Sequence, residues 1–538
     1  MNNESRSHMR DKLLPLVVFP LIVGVLTGVA IFIFKLASSF VIDRSHQIYA
    51  IVRENPKYLP VLLLGVTAIG GLSALLLRYA KECRGGGIPT AVASIRGLIP
   101  MKWTQGVFAL FASALLTYTA GVPLGNEGPS VQIGAALGKG ASGLFGKKNR
   151  AWERYNMTGG ACSGFAIATG APLSGVVFAM EEAHRRFSPT IFIVATVSIV
   201  SGSVVSEVLS HVVGVDTTFF GFTIDAILPL KYLWVAAIIG IACGISANLL
   251  TKLYHYIRKN KGIKPIKLPF AVNIVVIFFI VALLGFFSAD FVGSGHALIE
   301  TIIERHGVWY MILVAFIVRA LMMVLANSAG VSGGLFVPTL AFGAMISSLI
   351  ADGLIALGAV DESYYAIFIM IGMASFLSSS SRIPLTALAF SVEALCGVGN
   401  VLSAVIGVLT SYFVAEIMGR LSFTDTVMEA KAADAHAGKT AFVVYSHMVV
   451  QPGAFAIGMD IRDILWPPTC TILSIKQAES ENGEHSGVIY EGDIIHLHYQ
   501  TYDPAQTSEL LARILGTQPE DENAKIHGVS GRYIVPDA

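Results

Sequence analysis

Nine strongly apolar stretches, most of them close to 20 residues long, constrain this chain more than any other feature. They occupy residues 13–34 (LLPLVVFPLIVGVLTGVAIFIF), 59–77, 107–124, 191–213, 227–250, 270–287, 311–325, 335–357 and 401–418. About 20 helical residues cross the roughly 30 Å hydrocarbon core of a bilayer, so a chain with this many such runs folds around a membrane. The composition agrees: 54% hydrophobic, 14% charged and a mean hydropathy of +0.67 are far from the values of a soluble protein. The reading is an all-α polytopic membrane protein, and a net charge of +1 gives no reason to expect a nucleic-acid partner.

Residues 1–12 are polar and charged, and no small-residue cleavage site follows, so the first run reads as an uncleaved span with a cytoplasmic start. Basic clusters at residues 78–84, 147–154, 185–186 and 252–267 mark further cytoplasmic segments. The expected placement is multi-pass in the cell membrane, with both termini cytoplasmic. Cys83, Cys162, Cys243, Cys396 and Cys470 lack CxxC or Cys/His spacing, so neither a disulfide framework nor a metal site is expected, and no cofactor is called for.

From about Glu429 the pattern changes to short alternating runs with frequent charges. Residues 442–450, 469–476 and 493–499 read as strands and 505–515 as an amphipathic helix, which predicts a small α+β domain at 431–538 behind a membrane domain at 1–430.

The membrane part carries an internal repeat. GACSGFAIATGAPLSGVVFAMEEA from Gly160 aligns without gaps on GMASFLSSSSRIPLTALAFSVEAL from Gly372, matching Gly160 with Gly372, Pro172 with Pro384, Phe178 with Phe390 and Glu181 with Glu393. Pro129 and Gly134 pair similarly with Pro338 and Gly343. The first copy runs into His184-Arg185-Arg186 and the second into Cys396-Gly397-Val398-Gly399, so equivalent helices end on opposite sides of the membrane. That is the mark of two inverted halves, at roughly 10–215 and 225–430.

Three stretches interrupt apolar sequence with glycine and proline: Gly85-Gly86-Gly87-Ile88-Pro89, Gly125-Asn126-Glu127-Gly128-Pro129 and Gly333-Gly334-Leu335-Phe336-Val337-Pro338. Proline in a first turn behind glycine marks a helix start. Such starts expose free N–H groups and the positive end of the helix dipole, so several of them meeting in a membrane would bind an anion without a fixed cation. The same glycines would also allow close helix packing, and the residues alone leave both readings open.

The three stretches resemble, in order, the signature segments of the CLC family of chloride channels and proton/chloride exchangers, usually written GSGIP, GREGP and GxFxP. The likeness covers nearly all of residues 10–430. It implies a homodimer with one pore per subunit, no enzymatic activity, and an external gate at Glu127 whose carboxylate competes with chloride. It carries the anion contacts onto Gly86, Gly87, Ile88, Asn126, Glu127, Gly128, Leu335, Phe336 and Phe423. Glu182 aligns with the family's internal proton glutamate, which favours exchange over passive flow, while Glu181, matched by Glu393, reads as structural. A glutamate at a helix start is favoured when charged, whereas burial favours its protonated form, and the balance makes it switchable.

Three departures stand out. Gly86 replaces the central serine and Phe423 the central tyrosine, removing both hydroxyl donors, and Asn126 replaces the arginine beside the gate. A passive anion channel, or a fluoride- or nitrate-preferring carrier, is therefore the alternative to proton-coupled chloride exchange. The tail, with VIYEGDIIHLHY from Val488 and a short helix expected at 460–465, resembles the regulatory TrkA-C (RCK-C) module of potassium-transport gating subunits. Some such modules bind cyclic di-AMP, which makes this nucleotide a candidate regulatory ligand. A remote alternative is an intramembrane serine protease, because Gly330-Val331-Ser332-Gly333 fits a GxSG pattern. The next histidine, His436, already lies in the tail, and a serine nucleophile needs a nearby base.

Overall fold

The structure, a computed structural model, describes residues 14–215, 219–221, 226–259, 269–305, 308–419, 421–477, 487–518 and 533–536. The amino-terminal stretch 1–12 and residues 260–267 of the last basic cluster lie outside these. Among the described residues nine helices are long and apolar enough to cross a membrane, from Leu14–Glu54 to Val398–Met418. Two differ from the apolar runs. The run at 107–124 holds only the shorter helix Gln105–Thr119, whereas Glu362–Ser381, rich in serine, is long enough to span. The reason is burial: 83% of the most apolar window of Glu362–Ser381 is inside the protein, so its neighbours and not lipid set its polarity. The helix Glu153–Thr169 is likewise buried at every residue from Tyr155 onward and carries small and polar side chains.

The repeat is realised element by element. Glu153–Thr169, Pro172–Phe178 and a wide turn at Ala179–Ala183 recur as Tyr365–Ser381, Pro384–Phe390 and Ser391–Leu395. The break before each short helix has the same backbone: Gly170 and Arg382 are left-handed at φ 65° and 61°, and Ala171 and Ile383 both have φ −126°. The Glu393 carboxylate accepts from the N–H groups of Leu173 (2.7 Å) and Ser174 (2.8 Å), and the Glu181 carboxylate accepts from those of Leu385 (2.9 Å) and Thr386 (2.7 Å). Each glutamate, at the end of one short helix, thus caps the start of the other, which is possible only if the two run antiparallel. Mutual capping therefore establishes the inversion and the structural role of Glu181. The repeated glycines sit at helix crossings: a Cβ on Gly134 would lie 2.0 Å from Gly160 O, and one on Gly343 2.2 Å from Gly372 O.

The tail is an antiparallel sheet of order β2-β3-β1-β4, formed by β1 (Phe442–Val449), β2 (Thr471–Lys476), β3 (Ile494–Thr501) and β4 (Tyr533–Pro536). Val444 and Met448 of β1 and Ile495, Leu497 and Tyr499 of β3 alternate inward to meet Leu511 and Leu515 of the helix Pro504–Leu515. The helix expected at 460–465 is a series of turns instead. Its carbonyls are used elsewhere: Tyr155 Oη donates to Asp463 O (2.5 Å), Arg186 to Ile464 O (2.9 Å), and Arg154 to Leu465 O (2.9 Å) and Trp466 O (2.7 Å). A helix over this segment would need Leu465 N–H to donate to Ile461 O, but that N–H donates to Tyr155 Oη (3.1 Å) and Ile461 O accepts from the Trp466 ring N–H (3.1 Å). These contacts dock the tail on the face that carries the basic loop 147–154.

Candidate functional site

Each glycine-rich stretch opens a helix as its sequence requires: Ile88–Ile95, Glu127–Ser142 and Phe336–Ala356. The three starts meet. Gly125 N–H donates to Gly334 O (2.8 Å) and Gly334 N–H donates back to Gly125 O (2.6 Å), joining the second stretch to the third. Gly85 N–H donates to Gly330 O (2.9 Å), joining the first to the approach of the third. Contact is at backbone distance: a Cβ on Gly128 would lie 2.6 Å from Gly334 Cα and 3.0 Å from Gly87 Cα. Close packing and convergence, alternatives from the sequence, are here one arrangement.

Of the residues singled out from the sequence, Ile88, Glu127, Gly128 and Phe336 stand in first turns, where N–H groups have no carbonyl behind them. Leu335 immediately precedes its helix, and the Phe336 ring is wedged edge-on between Phe165 (5.3 Å) and Phe390 (5.2 Å). Asn126 is half-exposed and makes no side-chain cap. Gly86 N–H closes a turn onto Cys83 O (3.1 Å), and Gly87 N–H donates to the side-chain oxygen of Gln132 (2.8 Å). Gln132 is absent from the sequence reading, yet it fills the space a serine at 86 would need: a Cβ there would lie 2.8 Å from Gln132 Oε1. Phe423 opens the helix Phe423–Ala435 and is buried edge-on against Tyr254 at 5.3 Å. From that helix Lys431 donates to Arg84 O (2.9 Å), Gly85 O and Thr90 Oγ1, holding the first stretch from below.

The Glu127 side chain is only 1% exposed. Its Oε2 has no hydrogen-bond partner and lies over Gly125, where a Cβ would be 2.4 Å away. Its Oε1 is 3.5 Å from His296 Nε2. Tyr118 Oη donates to Gly125 O (2.8 Å) beneath it. Glu182 is 6% exposed at the opposite end of the domain, with an Oε1 that has no partner. Arg96 links it to the first stretch: this residue follows Ile88–Ile95 and donates to Glu182 O (2.5 Å) and Ala183 O (3.0 Å). Glu182 therefore sits at the far end of the helix Ile88–Ile95, whose start belongs to the junction that holds Glu127. The buried Ser332 hydroxyl donates to Cys83 O (2.8 Å) and accepts from Ser113 Oγ (2.9 Å), so both its neighbours are non-basic.

His296 had a sequence signal of its own: Gly293-Ser294-Gly295-His296 is a fourth glycine-led helix start, opening His296–Arg305. Gln132, Tyr118 and Lys431 had none: Gln132 lies one turn past Glu127 but its partner Gly87 is 45 residues away, and Lys431 comes from the helix Phe423–Ala435.

Comparison with known proteins places this arrangement. A family profile described as voltage gated chloride channel matches residues 69–416. Among solved structures, a slow cyanobacterial Cl−/H+ antiporter superposes with a TM-score of 0.71 at 23% identity, covering 78% of this chain and 98% of that one. A eukaryotic CLC transporter gives a TM-score of 0.61 at 20% identity, over 78% of this chain and 74% of that one. A CLC-type fluoride/proton antiporter gives 0.59 at 20% identity, over 77% and 98% respectively. At these identities the likeness establishes the fold.

Proposed function

Because this chain belongs to the voltage-gated chloride channel family, whose members are transporters and channels and not enzymes, we propose that it is a secondary anion transporter exchanging chloride for protons. Glu127 is the gate and Glu182 the proton group on the other side. The observation that carries this reading is a buried carboxylate with an unpartnered oxygen standing where three helix starts converge. Those starts make a positive pocket, with the Lys431 ammonium held on Gly85 O and Thr90 Oγ1 of the first stretch. Ionised, Glu127 occupies it in place of an anion; protonated, it loses the attraction and yields its seat. Binding held mainly by helix dipoles stays weak enough for release.

The test is a liposome assay that follows chloride and proton movement together. A chloride gradient should drive protons uphill; chloride leak without proton movement would leave a passive channel. A preference for another anion, fluoride or nitrate, is the second reading, supported by Gln132 filling the place of a central hydroxyl and by the structural likeness to a fluoride/proton antiporter.

The remaining assignments follow the same reading. The protein lies in the cell membrane with both termini cytoplasmic and works as a homodimer. Mass measurement in detergent tests the pairing. The tail is a TrkA-C-like regulatory module. Arg154 supports coupling, since one guanidinium donates to Ile95 O (2.7 Å), at the end of the first anion helix, and to two tail carbonyls. Calorimetric titration of the full-length protein with cyclic di-AMP tests the ligand; absence of heat removes it.

A further inference from the structure

We propose that His296 is the proton relay between the solution facing Glu127 and the Glu127 carboxylate. The inference rests on reading Glu127 as the gate and names the group that supplies its proton.

A carboxylate 1% exposed cannot meet bulk water directly, so in this conformation its proton must come through a neighbour. The His296 side chain is 29% exposed while its Nε2 lies 3.5 Å from Glu127 Oε1. It therefore has one wet face and one face on the gate. A contact of 3.5 Å is longer than a fixed hydrogen bond, as suits a donor and acceptor that close only when the proton moves.

The ring is held in place. It packs edge-on against Phe219 (4.8 Å) and tilted against Phe220 (5.2 Å), and these two phenylalanines also line an open cavity of about 740 Å³. The loop at 290–295 that delivers His296 is fastened by the buried Arg319, which donates to Asp290 O (3.0 Å), Val292 O (3.0 Å) and Gly293 O (2.7 Å). Committing a buried guanidinium to three loop carbonyls sets where the next helix, and its first side chain, begin.

Several other titratable or charged groups stand around this corner, and Glu207 and His211 line the same cavity as Phe219 and Phe220. Tyr118, from Leu110–Thr119, is buried on Gly125 O. Arg319 is spent on the loop, and His46, from Phe19–Glu54, lies against Gly293. Asp290 receives the Ser288 hydroxyl at 3.1 Å, and Glu300 stands one turn along the His296 helix, toward its exposed side. In the step, the imidazolium Nε2–H bond breaks and an O–H bond forms on Glu127 Oε1, leaving neutral imidazole and neutral carboxylic acid. The imidazole then takes a new proton from the solution, and the reverse sequence releases one.

The test compares the full-length wild type, His296→Gln and the double variant Glu127→Gln/His296→Gln in liposomes, reading proton and chloride flux against the pH on the His296 side. His296→Gln should lower proton flux by about a hundredfold, the low end of what a positioned proton-transfer group contributes. Added imidazole should restore flux to the single variant but not to the double one. Wild-type proton flux in His296→Gln, or a loss that imidazole does not rescue, would overturn the relay while leaving exchange standing. If the wild type moves no protons at all, relay and exchange fall together.

Discussion

Serine at position 86 would restore the hydroxyl the family places at its central site, and the structure sets the cost of putting it there. A Cβ on Gly86 would lie 2.8 Å from Gln132 Oε1, 2.8 Å from Leu110 Cδ1 and 3.1 Å from Cys83 O. Leu110 can turn away, but Gln132 is pinned, because it accepts from Gly87 N–H (2.8 Å) and donates to Glu82 O (3.3 Å). Displacing it leaves a buried N–H unsatisfied, at about 1–3 kcal/mol. Crowding against Cys83 O adds roughly 1 kcal/mol, the low end for overpacking. Gly86→Ser should therefore destabilise the protein by about 2–4 kcal/mol. Gln132→Ala alone loses the same hydrogen bond, so Gly86→Ser/Gln132→Ala should cost less than the sum of the single changes by about 1–2 kcal/mol. Denaturant unfolding in detergent measures stability, and chloride-against-nitrate flux in liposomes measures selectivity. The double variant should favour chloride more than the wild type does. A single Gly86→Ser protein as stable as the wild type, or fully additive losses, would refute the claim that Gln132 owns this space.

Glu127→Gln fixes the gate in its neutral form and should abolish proton coupling while anion flow persists, checked by simultaneous chloride and proton recording. Glu182→Gln should stop proton transport but preserve chloride flow in the same assay. Glu181→Ala and Glu393→Ala each strip the N–H partners from one short helix and should each cost roughly 2–4 kcal/mol, since the lost bonds go to a charged acceptor. The inverted repeat makes the two losses equal within about 1 kcal/mol. Denaturant unfolding checks both, and a cost confined to one would mean the halves are not energetically equivalent. Arg154→Ala should loosen the tail from the membrane domain, read as faster proteolysis between residues 435 and 470 in the full-length protein.

What could be read from the chain alone was whatever the bilayer or a local turn dictates. The apolar runs were legible because lipid imposes both length and polarity on any helix facing it. The glycine-proline starts were legible because only a few residue types open a helix that way, and Glu181 and Glu393 lay in register because both halves use the same capped turn. The serine-rich span Glu362–Ser381 escaped that logic, since protein and not lipid surrounds it. So did the turns at 460–465, whose Leu465 N–H is claimed by Tyr155 from the membrane domain. The site followed the same division. Glu127 announced itself as an acid among glycines, but the company it keeps is set by packing. Gln132 is one turn away on its own helix yet bonds to Gly87, and His296 arrives from 169 residues along the chain. Local spacing encodes helix starts because their hydrogen-bonding needs are local; it carries no record of which starts will meet, because that is decided by antiparallel halves closing on each other at glycine-to-glycine distance.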